Sequence, residues 1–215
     1  VAPRLRTRDD RPYDLAVEQD TPVIIAGFGR FGQIVGRILR ARRIAFTAMD
    51  ADPAQIDSLL RFGIKVFYGD ASRLDLLRAA RADKARLFVL AIDDVQSSLH
   101  TAREVQEHFP HLVIFARARN RAHAYQLLEL GITHVVRETF QSSIELTGEV
   151  LQELGFSYSD ARGTLDQFRE HDERLLQESF HFQRDEKKLI EIAERSRREL
   201  DSLFARDVEE ERKSA

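Results

Sequence analysis

Between residues 23 and 39 the chain reads VIIAGFGRFGQIVGRIL. An apolar run meets Gly27, Gly29 and Gly32 and continues into an amphipathic helical pattern carrying Arg30 and Arg37. Gly27-Phe28-Gly29-Arg30-Phe31-Gly32 has the spacing with which a strand turns into a helix around a phosphate. The first glycine permits the tight turn and the second lets backbone N–H groups approach a pyrophosphate. The third lets the helix pack close, with phosphate on its positive N-terminus. The second strand-like run ends on Asp50, about 18 residues past Gly32, where an acid hydrogen-bonds a ribose diol and repels a 2′-phosphate. That favours NAD or AMP-type ligands over NADP. Tyr68-Gly69-Asp70-Ala71 ends the next strand on the same edge. There Asp70 could accept from an adenine amino group; alternatively Gly69 is only a turn and Asp70 caps the following helix.

Other reactive chemistry is sparse. The 215 residues include no cysteine, which removes disulfides, thiol nucleophiles and thiolate metal sites and suits a reducing compartment. The seven histidines are scattered. His100 and His123 fall in helical patterns, His108 and His111 flank a Phe-Pro stop, and His171 and His181 lie in the tail; none has a convincing partner at metal-ligand spacing. A net charge of -3 does not suggest a polyanion binder, so nucleic acid is not an expected partner. No apolar run approaches the roughly 20 residues of a membrane span, and no signal-peptide pattern opens the chain. Opening on Val1, it is expected to be a fragment or a processed chain.

With 43% hydrophobic residues the chain can bury one proper core. Residues 1–20 read as a charged, proline-bearing linker. Residues 21–137 alternate strand-like and helix-like segments. These include IAFTAMD, the helix DPAQIDSLLRFG from Asp52 to Gly63, KVFYGD, RLFVLAID, LVIFARA and a minimal HVV. Strands apolar nearly throughout, separated by helices, predict a parallel sheet covered on both faces. The expected fold is therefore α/β: a Rossmann-like, doubly wound parallel sheet of six strands. Residues 138–156 read as one helix and 157–215 as a charged helical extension. Its apolar stripe (Leu165, Phe168, Leu175, then Leu189, Ile192, Leu200) must lie on the sheet domain, a second copy or a partner. No second core is visible to hold a substrate beside a nicotinamide, so catalysis lacks half its apparatus and the site reads as a sensor.

Five segments, GFGRFGQIVGR, FGIKVFYGDASRLDLLRAA, LAIDD, EHFPHLVIFARAR and RETFQSS, carry a further signal in their order and spacing. Together they closely resemble the cytoplasmic regulatory domain of the Kef glutathione-gated potassium efflux systems, within the wider KTN/RCK (TrkA-N) class. The resemblance runs from about Thr21 to Gly155 and weakens in the tail. It implies a domain on the cytoplasmic face of the bacterial inner membrane, joined through the linker to an N-terminal antiporter-like pore. It implies a homodimer formed through the helix ETFQSSIELTGEVLQELG, and a flavodoxin-like ancillary subunit as a partner. AMP or NAD(H) would occupy the Rossmann cleft, held by Gly27, Phe28, Gly29, Arg30, Phe31, Gly32, Asp50, Asp70, Ala71 and Arg117. Glutathione or its adducts would sit at the dimer interface, reduced glutathione closing the pore and adducts opening it.

For glutathione the resemblance implies Arg37 and Arg137, whose planar forks suit its two carboxylates. It also implies the position of Asp172, where the family pattern has Asn. An aspartate there can accept a hydrogen bond but not donate one. Phe62 is the matching aromatic that a bulky S-substituent would displace. Read from the residues alone, Arg37 is rather a solvated helix residue and Arg137 a salt-bridge partner of Glu138 or Glu145, while Phe62 is equally a core side chain. Three other readings remain open: a Trk- or Ktr-type regulator gated by nucleotide alone, a small NAD-dependent oxidoreductase, and a scaffold module whose tail binds an ancillary protein.

Overall fold

The computed structural model describes residues 20–53, 67–182 and 185–214. The helix expected after Asp52 therefore lies, beyond Pro53, outside the described residues, and so does Phe62. The chain forms two compact units that divide between Val136 and Arg137.

The first unit is built on strands β1 (Val23–Ala26), β2 (Phe46–Asp50), β3 (Phe67–Tyr68), β4 (Leu87–Leu90), β5 (Val113–Ala118) and β6 (His134–Arg137), the last ending at the unit boundary. Their order across the sheet is β3-β2-β1-β4-β5-β6. All four residues of β1 are buried, as a central strand covered on both faces requires. Val23 pairs with Phe46 on one side and Leu87 on the other; Met49 pairs with Phe67, and Leu87 with Val113, all in parallel. The parallel register described thus spans five strands, where the sequence predicts six. The sixth, β6, is the edge strand beside β5, and its four residues alternate exposed and half-buried.

Helices α1 (Arg30–Ala41), α2 (Leu74–Ala79), α3 (Val95–His108) and α4 (Arg121–Glu129) connect the strands. Because side chains alternate across a strand, the core splits in two. Ile24, Met49, Phe88, Leu90 and Ile114 face Leu77, Leu99, Val105 and Leu127 of α2, α3 and α4. Val23, Ile25 and Ala48 face Phe28 and the inner side of α1 at Val35 and Leu39. This second layer is thin. Val113 and Phe115 on β5 stay exposed, so the expected cover on both faces does not extend to β5 among the described residues.

The second unit is helical: α5 (Glu138–Glu153), α6 (Tyr158–Phe180) and α7 (Glu186–Ser214), with α5 packed on α6 and α6 on α7. Gly155, at φ +100°, follows α5, and the Ser157 hydroxyl accepts the Asp160 N–H to start α6. Gly148 lets the two helices close, since a Cβ there would lie 3.0 Å from Leu165 Cδ1. The seam is less apolar than the expected stripe. Buried positions on α6 include His171, Asp172 and Ser179, and His171 Nε2 lies 2.7 Å from the buried Ser196 Oγ of α7.

At Gly32 a Cβ would come within 2.2 Å of the Gly27 carbonyl oxygen, a backbone atom that cannot yield cheaply. Gly32→Ala should destabilise the first unit by about 2 kcal/mol or more, read from the midpoint of urea unfolding. An unchanged midpoint would show that α1 does not sit so close on the turn.

Candidate functional site

Strand order reverses direction between β1 and β4, and ligands of open α/β sheets bind at such a switch point beyond the carboxyl ends of the strands. A cleft of about 760 Å³ opens there. Gly27, Gly29, Arg30 and Phe31 line it from the turn after β1, Asp50 from β2, and Asp70 and Ala71 from the loop after β3.

The three glycines have separable causes. Gly27 has φ +87° and would place a Cβ 2.7 Å from the Ala91 carbonyl carbon, so backbone conformation and β4 both demand glycine. Gly32 is demanded by the contact with Gly27. Around Gly29 a Cβ would meet nothing within 4 Å. Its missing side chain answers to no protein contact, but Gly29 faces the cleft and caps α1 with no side-chain hydrogen bond. The first turn of α1 contains no acid, so its positive end is left to an anion. By contrast, the first turn of α3 is already engaged, because Asp94 Oδ1 accepts the Ser97 N–H at 2.8 Å.

Asp50 holds the turn itself. Its Oδ2 accepts the Phe28 N–H at 2.6 Å and its Oδ1 the Asp52 N–H at 2.8 Å. A ribose diol would share this carboxylate with the backbone. Phe28 does not line the cleft; its ring is buried and stacked on Phe46. With Gly32, it shapes the turn rather than the wall. Asp70 Oδ1 accepts the Ser72 N–H at 2.9 Å, while Arg73 is the N-cap of α2. Asp70 is therefore a turn residue in the cleft wall and not the helix cap.

Arg117 reaches the cleft from β5 with its side chain only 5% exposed. Its Nη1 donates to the Ala91 carbonyl at 3.1 Å, its Nη2 to Asp93 Oδ1 at 2.6 Å, and its guanidinium lies 5.7 Å from the Phe31 ring. Arg119 donates to the other oxygen, Asp93 Oδ2, at 2.6 Å. Hydrogen bonding from Arg117, aided by the charge of Arg119, holds the Asp93 carboxyl below the usual carboxylate range. Asp93, Asp94 and Ser97 also line the cleft, beyond the residues expected there from the sequence. The pattern Asp94-x-x-Ser97 at a helix start was the available signal for Asp94. Asp93 lies in the LAIDD segment that carries the family resemblance, but its grip by two arginines has no local signal, since those partners come from another strand.

Arg37 is exposed on α1, beside exposed Ile34 and Ile38, and does not line the cleft. Arg137 and Asp172 belong to the second unit, where they form an ion pair with side chains 14% and 9% exposed. The Arg137 guanidinium also lies 4.0 Å over the Phe140 ring, which stacks on Phe168. The described ion pair of Arg137 is thus to Asp172, not to Glu138 or Glu145. Among the described residues no three metal-ligating side chains gather, and no helix is long and apolar enough to cross a membrane.

A dinucleotide-type cleft at a Rossmann switch point, followed by a helical unit, defines a nucleotide-binding regulatory class, and comparison with known proteins agrees. The TrkA-N domain model matches residues 23–138, and the model of the potassium efflux system KefB C-terminal domain matches residues 142–215. A Kef CTD from Shewanella denitrificans, solved in an AMP-bound form, is 47% identical (TM-score 0.69; 74% of this chain, 98% of that one). The TrkA-N domain of the inner membrane protein YbaL from Escherichia coli shares the fold at 21% identity (TM-score 0.55; 65% of this chain, 100% of that one). So does the GsuK channel bound to NAD, at 21% identity (TM-score 0.56; 66% of this chain, 26% of that one). The chain belongs to the TrkA-N family and, within it, to the Kef-type regulatory domains.

Removing one member of a buried ion pair leaves the other uncompensated. Asp172→Ala should cost about 3 kcal/mol in chemical unfolding, with much of the loss recovered when Arg137→Met is added. Additive losses would show that the two side chains do not depend on each other.

Proposed function

We propose that this chain is the ligand-sensing domain of a glutathione-gated potassium efflux (K+/H+ antiport) system and makes or breaks no covalent bond. AMP or NAD(H) occupies the cleft, with its phosphate on the Gly29 end of α1 and its ribose on Asp50. Glutathione or a glutathione adduct binds between two copies, engaging Arg37 and Arg137, and so biases a pore carried by the same protein at the cytoplasmic face of the inner membrane. A flavodoxin-like subunit is a further partner under this reading.

The observation that carries the nucleotide assignment is Gly29, a glycine that no protein contact requires, at an uncapped helix end inside the cleft. The AMP-bound Shewanella relative supports it. Support for two copies comes from apolar surface left uncovered: Val113 and Phe115 on β5, and Leu146 and Val150 one turn apart on α5. Arg137 is already paired with Asp172, so a ligand carboxylate must share or displace that partner. An adduct keeps the carboxylates of glutathione and adds bulk at sulfur, so it can favour a different arrangement of the copies through sterics alone.

A thermal-shift series tests both ligands. AMP at about 100 times its Kd should add about 2.7 kcal/mol of stability, and Gly29→Ala should remove that gain while costing the free protein no more than about 1 kcal/mol. Arg37→Glu should abolish the response to glutathione and leave the response to AMP. A glutathione response that survives Arg37→Glu contradicts the interface assignment. No response to AMP or NAD contradicts the cleft assignment.

A further inference from the structure

His123 is 1% exposed in the first turn of α4, outside the cleft wall but tied to it. Its Nδ1 accepts the backbone N–H of Arg119 at 3.2 Å, and the backbone N–H of His123 donates to Asn120 Oδ1 at 2.8 Å. A ring nitrogen that accepts carries a lone pair, so the neutral ring holds its proton on Nε2. That Nε2 is buried with no hydrogen-bond partner among the described residues. The ring therefore braces the segment that follows β5. The same segment delivers Arg119 to Asp93, while Arg117 grips Asp93 from within β5.

A second proton has only Nδ1 to occupy. There it would face the Arg119 N–H donor head-on, and the hydrogen bond would be lost. The new charge would sit buried, with an unpartnered Nε2–H, near two guanidinium groups.

We propose that His123 is a proton-operated control on the nucleotide cleft. Protonation at Nδ1 releases the Arg119 backbone, loosens the two-arginine grip on Asp93, and weakens nucleotide binding. This rests on the cleft holding a nucleotide, as argued above, and adds regulation to that site.

The charged groups acting on the ring are Arg117 and Arg119, which disfavour a second proton, and Asp94 at the head of α3, which favours it. Burial is the largest influence, and the sum holds His123 below the ordinary histidine range. The unfolded chain consequently takes up this proton first. Stability falls as pH drops through about 6.5 and goes on falling until the folded ring is protonated as well. A nucleotide that favours the braced cleft must in turn make His123 harder to protonate, since coupling between two sites is reciprocal.

The test is AMP affinity by calorimetry at about pH 7.5 and about pH 5.5, for the chain and for His123→Asn, whose amide oxygen can accept from Arg119 without titrating. The variant reports the pH dependence of AMP's own phosphate and of the aspartates. The unsubstituted chain should lose about fivefold more affinity than the variant across this range. Equal losses overturn the proposal while leaving the cleft assignment standing; no binding of AMP at either pH overturns both. Imidazole NMR of the unsubstituted chain gives a readout independent of whether the variant folds. Saturating AMP should move the His123 midpoint to lower pH, and an unmoved midpoint overturns the proposal.

Discussion

The nucleotide cleft depends on how closely α1 approaches the turn that precedes it. Gly32 sits almost on the carbonyl of Gly27, and Gly27 in turn lies against the backbone of β4. No side chain fits in either gap. This contact fixes the axis of α1, and so the direction of its positive end, relative to the two central strands. Asp50 then staples the same turn to β2 through the Phe28 N–H. Three strands and a helix are locked around the turn, and the opening that remains at Gly29 leaves the positive end of α1 facing the cleft.

Around that anchor the cleft is asymmetric. One helix end is open and the other is closed by Asp94. Carboxylates from three strand ends (Asp50 of β2, Asp70 after β3, Asp93 and Asp94 after β4) surround a space with two arginines in its wall, one of them committed to Asp93. Such a wall suits a ligand with one anionic end and many hydroxyl or amine donors, as nucleosides have. The nucleotide's effect is then mass action on the state whose cleft it fills. A signal passed on by the nucleotide depends on a difference in its affinity for two arrangements.

Much of this was legible from residue order, because it depends on local spacing. The Gly27–Gly32 motif and Asp50 at the end of β2 both follow from neighbours in sequence. The thin cover of β5 was not legible, since apolar content alone does not say which face a connecting helix takes. Nor was the grip on Asp93, whose arginines lie in and just after another strand and meet it only through the parallel pairing of β4 with β5. Asp172 was recognised as a departure from the family's asparagine, yet its pairing with Arg137 depends on how α6 lies in the second unit. Polar residues on an amphipathic helix look the same in sequence whether solvated or paired inside a seam, as His171 and Ser196 show.

Native mass spectrometry of the purified chain, incubated with NADH, AMP and a glutathione S-conjugate, tests the central claim most directly. The account predicts a dimer that carries one nucleotide per copy, binds the conjugate, and returns every ligand chemically unchanged. A monomer indifferent to nucleotide, or NADH recovered as its oxidised form in step with a reduced product, would contradict it.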